Sequence, residues 1–411
     1  MKKSYLLGAL GLLAMASCSQ DETIGINHDG DEITFNVVTN SATRAADVYC
    51  NQNLPGGFYV SAISDGKTYI DKDYVTGSNG NWTNTSGTRY WPETAVDFYA
   101  HVNGGDAYKW NNGSPKFEGF TVNNTVGSQV DLLYAVKKNQ SKTNGKVNLN
   151  FRHALSQIVF QAKNTNANLY VEIAGVSVAN VGGTNTFTFP SENTETNIDH
   201  KDYDTNGNGV YETGEFGSIT YDDDSWGSWV ALTQGTEKYD VDFPKTPVPG
   251  NNTLVALTTT KNVADKEYNS NAMLLLPQET TAWDPETYPL PGTGNKGSYL
   301  LVDCAIFNVA GDEYAGSDVC LWGEQKEGVW NTKELAIPVA FDWEQGKKYV
   351  YTLVFGEGNG GYDPDPEPDP DPDKPDPVLV PITFEITVDE FVPVNGGEIE
   401  SGIPGIPGEG A

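Results

Sequence analysis

Apolar side chains recur at every second position along most of this chain, and almost nowhere at the three-to-four spacing of a helix. "EITFNVV", from Glu32 to Val38, puts Ile33, Phe35 and Val37 on one face. "GGFYVSAIS", "AVDFYAHV", "GKVNLNF", "LSQIVFQAK" and "LYVEIAGVSVANV" follow in the first half. "NTLVALTTT", "NAMLLLPQ", "SYLLVDCAIFNV", "LAIPVAF" and "KYVYTLVFG" follow in the second. A period of two sends alternate side chains to opposite faces of a strand, so each segment has one face to bury. Gly, Asn, Asp and Pro punctuate the strands, and no helical segment lies between them to carry parallel crossovers. The pattern predicts an all-β protein built from antiparallel β-sandwiches. The polar stretch "PSENTETNIDHKDYDTNGNG" marks a boundary near Pro190, with one sandwich expected over 45–190 and a second over 191–361.

Acidic residues number 56 against 25 Lys and Arg in 411 residues, a net charge of -31. Such a chain repels phosphate backbones, which argues against a nucleic-acid partner. The first residues read MKKSYLLGALGLLAMASCSQDE. Lys2 and Lys3 precede an apolar run, Tyr5 to Met15, that is too short to span a bilayer. Ala16 and Ser17 lead into Cys18, which resembles a bacterial lipobox. Residues 1–17 are then expected to be a signal peptide and Cys18 the lipidated first residue, anchoring the precursor to the outer membrane. Ordinary signal cleavage beside a stray cysteine is the alternative. Of the other cysteines, Cys304 and Cys320 flank a plausible hairpin; a disulfide and two free thiols both fit the sequence. Cys50 has no obvious partner.

The far end is unusual. From Asp363 to Pro377 acids alternate with proline, which denies the backbone a helix and stiffens it. At about 3.1 Å per residue, this 362–377 linker would reach roughly 45 Å if extended. A strand-like segment, 378–392, follows the linker, before a tail over 393–411. In "PITFEITVDE", Ile382, Phe384, Ile386 and Val388 line one face. The segment echoes the first strand, Ile33-Thr34-Phe35 against Ile382-Thr383-Phe384, so that either would fill the same apolar groove. Just after the first strand, "NSATRAAD" presents an Arg44–Ala45 bond to a trypsin-like protease. Cutting there would release residues 18–44, lipid and first strand together, and a tethered strand from another copy would fill the groove by strand addition.

One loop has metal-ligand spacing. Residues 204–215 satisfy D-x-[DN]-x-[DN]-G-x5-E. Asp204, Asn206 and Asn208 supply side-chain oxygens, Val210 a carbonyl, Glu212 a direct or water-mediated contact, and Glu215 a bidentate closure. That set suits calcium in the weak extracellular range, although no flanking helices are evident and Asn-Gly runs also make ordinary turns. His28, His101, His153 and His200 form no HExxH, and neither GxSxG nor a P-loop occurs. His153 in "RHALS" reads as a structural residue, and the chain does not read as an enzyme.

Several short segments, taken in order, resemble the fimbrillin family, the subunits of type V pili. They are "TRAAD", "RYWPETAVDFYAHV" (Arg89 to Val102), "VDLLYA" (Val130 to Ala135), "FRHALSQIVF" (Phe151 to Phe160), "FDWEQGKKYVYTLVF" (Phe341 to Phe355) and "PITFEITVDEF". The resemblance implies two tandem transthyretin-like β-sandwiches, transport to the surface as a lipoprotein, arginine-specific processing and donor-strand polymerisation with other fimbrial subunits in a homopolymer or mixed fibre, supporting adhesion. Arg44 is the matching cleavage position, and Val380 to Phe391 matches the donor segment. The acidic linker and the tail after Phe391 depart from a compact stalk subunit. The competing reading is a monomeric surface glycan-binding lipoprotein, with aromatic residues such as Trp82, Trp91 and Trp343 offered to sugars.

Overall fold

A computed structural model describes residues 31–39, 57–78, 81–111, 113–194, 226–258, 271–285, 297–309, 315, 318–358, 360–364, 377–378 and 382–390. Among them are strands and three short 3-10 turns, with no α-helix. Cys18, Arg44 and Ala45, the loop 204–215 and Cys50 lie outside the described residues.

The first seven-stranded unit is a closed barrel. Its order runs Phe35–Thr39 (β1), Asn81–Asn84, Lys67–Ser78, Phe58–Ser64, Val96–Val102, Leu133–Gln140 and Val147–His153, which returns to β1. The inward positions carry Phe35, Phe58, Val60, Val75, Trp82, Phe98, Leu149 and Phe151, all buried. Closure gives each of the seven strands a neighbour on both sides, which leaves the ring without a free edge strand.

Strand pairing leaves the barrel at Ala154–Leu155, well ahead of Pro190. Ser156–Asn164 pairs in parallel with Lys347–Phe355, while Leu169–Val181 lies antiparallel between Glu237–Val248 and Tyr299–Asn308. These two sheets enclose a core that includes Ile158, Phe160, Val171, Ile173, Val302, Ile306, Leu335 and Leu353. A smaller sheet containing Lys116–Thr121 and Thr184–Thr188 lies against the outside of the barrel, and Phe117, Phe187 and Tyr134 join the same core. The expected all-β sandwich architecture is present. Among the described residues two strand-to-strand ladders depart from antiparallel geometry, however, because β1 and Ser156–Asn164 each run parallel to a strand far away in sequence. Parallel neighbours need long connections, and here other strands, rather than helices, make up those connections.

His101 sits where barrel and small sheet meet. Its ring stacks on Tyr59 with centroids 5.3 Å apart and lies 4.0 Å from that of Tyr108. Burial pulls its pKa down to about 3, with Lys72 adding in the same direction, so this imidazole stays neutral. His153 is likewise internal, with Nδ1 2.7 Å from Asp131 Oδ2 and both side chains 3% exposed. That placement agrees with a structural role.

Cys304 and Cys320 are free thiols. They lie on neighbouring antiparallel strands, Tyr299–Asn308 and Val319–Trp322, as the hairpin reading requires. They face opposite sides of the sheet: Cys304 points into the main core with Ile306, whereas Cys320 lies opposite Phe307 on the outer face. Alternation therefore rules out a bond between them. Burial pushes both thiols up in pKa, Cys304 the more strongly.

The two ends of the acidic linker meet. Gly361–Tyr362 pairs antiparallel with Pro377–Val378, placing Tyr362 opposite Pro377. At its base, Lys333 holds the Asp363 carboxylate in an ion pair and lies over the Trp322 ring. In this chain the linker therefore departs from and returns to one sheet. The final strand, Ile382–Glu390, then pairs antiparallel with Lys347–Phe355 of its own chain over nine residues.

Candidate functional site

β1 and the residues before it occupy the most telling place in the barrel. Ile33 N–H donates to the Arg89 carbonyl at 2.8 Å, and Trp91 N–H donates to the Asp31 carbonyl at 3.0 Å. Glu32 faces Tyr90 between these two bonds, so the ladder here uses its neighbours' polar groups. Phe35 lies opposite Trp82 on one side. On the other, residues 35–39 run parallel to residues 147–151, and Val147 N–H donates to Thr34 O at 2.8 Å. Among the described residues, no other strand joins Asn81–Asn84 to Val147–His153. β1 closes the ring.

Its side chains hold it there. Ile33, Phe35 and Val37 are 4%, 1% and 0% exposed. The Phe35 ring meets those of Phe58 and Phe98 edge-on, with centroids 5.6 and 5.8 Å away and both interplanar angles 88°. Phe58 in turn packs on Trp82 at 5.6 Å and Phe151 at 5.4 Å. Such edge-to-face contacts select an aromatic ring beyond simple area burial. On the outer face, Asn36 Nδ2 donates to Asn148 Oδ1 at 3.1 Å. Lys142 Nζ reaches Asp31 Oδ2 at 3.2 Å, but both are well exposed and the pair contributes little. Without β1 the barrel would have two open edges and a long apolar slot.

The final strand is seated less completely. Ile382 is 2% exposed within the main core, and Phe384 is half-buried with its ring 6.5 Å from that of Tyr351. Ile386, on the same face, is 44% exposed. Val388 lies opposite Tyr349 in the ladder. Glu385, on the other face, pairs with Lys163 at 2.9 Å. The strand ends its sheet, in the order Ser156–Asn164, Lys347–Phe355, Ile382–Glu390. The two echoing strands thus occupy different sheets in one chain, one sealed on all sides and one at an edge. Sequence reasoning identified both strands but missed the aromatic lining and Asn148, because alternation tells which way a side chain faces without naming its neighbours.

The proposed metal ligands Asp204, Asn206, Asn208, Val210, Glu212 and Glu215 lie outside the described residues. Among the described residues, no group of three or more His, Cys, Asp or Glu is arranged to hold a metal ion.

The family profile for fimbrillin-like proteins matches residues 28–283, which include β1 and the whole barrel. The chain belongs to the fimbrillin-like family. Solved structures similar to this fimbrillin-like chain include a fimbrial protein from Bacteroides vulgatus, 14% identical, with a TM-score of 0.49 over 87% of this chain and 99% of that one. Another is a protein assigned to cell adhesion from Bacteroides uniformis, 14% identical, TM-score 0.42, covering 88% and 100%. A third, also assigned to cell adhesion, is from Bacteroides ovatus, 11% identical, TM-score 0.40, covering 89% and 99%. No curated protein matches the chain.

If β1 is the closing strand of the fimbrillin-like barrel, its side chains should differ sharply in worth. Phe35→Ala is expected to cost about 3–5 kcal/mol, because it removes a fully buried ring. Asn36→Ala should cost only about 0.5–1.5 kcal/mol for a half-exposed hydrogen bond. Denaturant unfolding of the uncut protein measures both, and equal losses would contradict the packing described.

Proposed function

We propose that this fimbrillin-like chain is a structural subunit of a surface fimbria that polymerises by protease-triggered strand exchange and supports cell adhesion. The observation that carries the reading is the seat of β1: a strand whose removal opens an apolar slot, followed closely by the Arg44–Ala45 bond. Cleavage there leaves residues 31–39 attached to the barrel by packing and hydrogen bonds alone. A neighbour's final strand carries the same alternation, and its Ile386 gains burial by moving from an exposed edge into a sealed slot. Uncut chains keep the slot full and stay monomeric until they reach the surface.

Around this event the remaining assignments fall into order. The precursor is held at the outer membrane by lipid on Cys18, an arginine-specific protease is its processing partner, and other fimbrial subunits of one or several kinds are its assembly partners. The loop 204–215 takes calcium outside the cell. No catalytic step is assigned to the chain. The glycan-binding alternative draws no support from Trp82, Trp91 or Trp343, which are 1%, 2% and 2% exposed.

Wild type, Arg44→Ala and the double variant Phe384→Asp with Ile386→Asp, each treated with an arginine-specific protease, test the exchange. Ladders and filaments should form from wild type only, because a charge against an apolar slot costs several kcal/mol. Equal polymer from all three would defeat the reading. The two accessory assignments are checked on the precursor: Cys18→Ala should leave the detergent phase, and the melting temperature should rise in calcium relative to chelator. Unchanged partitioning would refute the lipid anchor, and identical melting would remove the calcium site.

A further inference from the structure

We infer that the slot accepts the final strand of a second copy in one direction and one register: Ile382, Phe384 and Ile386 replace Ile33, Phe35 and Val37, and Asn148 selects the incoming strand by pairing with Glu385. This inference rests on the strand-exchange reading and adds to it the alignment and a specificity-determining residue outside the apolar lining.

Three features of the slot fix the alignment. First, the aromatic box of Trp82, Phe58 and Phe98 surrounds one position only, that of Phe35, and the final strand carries a single phenylalanine in its span 382–390. Setting Phe384 there leaves two directions. Second, in the direction of β1, Pro381 falls at the position of Glu32. There the ladder bonds come from Asp31 O and Ile33 N–H, so the missing proline N–H removes no ladder bond, and Ile382 supplies the donor that Ile33 supplied. The opposite direction puts Pro381 at the position of Val38, inside the ladder with residues 147–151, where proline is poorly tolerated. Third, β1's direction puts Glu385 at the position of Asn36.

That last substitution changes the chemistry at Asn148. In the uncut chain Asn148 Oδ1 accepts from Asn36 Nδ2. A glutamate in Asn36's place has no donor when ionised, but Asn148 has an amide N–H2 group that turns toward it by rotation of the side-chain amide. A hydrogen bond to a charged acceptor is stronger than the neutral amide pair it replaces. Asn148 therefore serves both strands, and it favours the incoming one. Val380 takes the place of Asp31 and forgoes the Lys142 pair, a small loss because both partners are well exposed.

The dual role gives a selective test on the full-length chain. In Asn148→Asp the new carboxylate still accepts from Asn36, now through a charged bond, so the uncut protein should fold and melt at or slightly above the wild-type temperature. After cleavage the carboxylate faces Glu385 of the neighbour, and polymer formation should slow about two- to fivefold, the scale of like charges opposed across a sheet. Glu385→Gln alone, whose neutral amide makes the weaker bond to Asn148, should polymerise more slowly than wild type. Adding it to Asn148→Asp should undo most of that variant's slowing, because the glutamine amide donates to the carboxylate. Light scattering after protease addition follows all four proteins. An unslowed Asn148→Asp overturns the register, as does slowing that persists equally once Glu385→Gln is combined with it. Wild type that forms no polymer overturns the exchange reading itself, and the register with it.

Discussion

Burial of Ile33, Phe35 and Val37 between two strands that have no other link among the described residues closes the barrel, and the rest of the architecture depends on that closure. Each fully buried side chain of this size contributes roughly 1.5–3 kcal/mol, comparable in sum to the whole net stability of a domain. Opening the ring would also expose the polar edges of Asn81–Asn84 and Val147–His153, which are then templates for another strand. A barrel closed this way loses that contribution unless something fills the slot. Identity of the filling strand is a separate matter, because backbone hydrogen bonds are the same for any sequence and alternate apolar side chains are easily matched.

Closure also reaches beyond the barrel. Val147–His153, which carries β1, continues through Ala154–Leu155 into Ser156–Asn164, the parallel partner of Lys347–Phe355. That same strand, Lys347–Phe355, holds the final strand along its other side. A short run of main chain therefore joins the place where β1 sits to the sheet from which the final strand departs. Between them Arg152, 1% exposed, donates to the Thr194 carbonyl and lies over the Trp226 ring, 4.4 Å from its centroid. Barrel and sandwich are consequently packed as neighbours: the barrel interior is a cluster of its own, while Tyr99, Tyr134 and Val136 on the barrel's outer face join the sandwich core.

Much of this was legible in the sequence. Period-two alternation located the strands and their buried faces, down to Ile33, Phe35 and Val37, because side-chain direction is a local property. Pairing is not local. Nothing in "EITFNVV" says that it runs parallel to "GKVNLNF", and nothing in "HALS" marks the change of sheet, since no Gly or Pro interrupts it. The acidic proline run speaks for stiffness as a composition property, yet its reach depends on where Tyr362 and Pro377 lie, and those residues pair. Cys304 and Cys320 show the same limit. Their adjacency followed from a hairpin, but their facing depends on the register, which sets Cys320 opposite Phe307, three residues from Cys304, and no residue type announces it. At the slot, the sequence supplied the two echoing strands, and packing supplied the aromatic box and Asn148.

The most direct measurement is the structure of the assembled fibre by electron cryo-microscopy, resolved well enough to assign side chains inside the barrel. The account predicts that the slot holds Ile382, Phe384 and Ile386 of a neighbouring subunit, with Phe384 against Phe58 and Phe98, and that residues 31–39 are gone. Residues 31–39 still seated beside Val147–His153 in the fibre would contradict it.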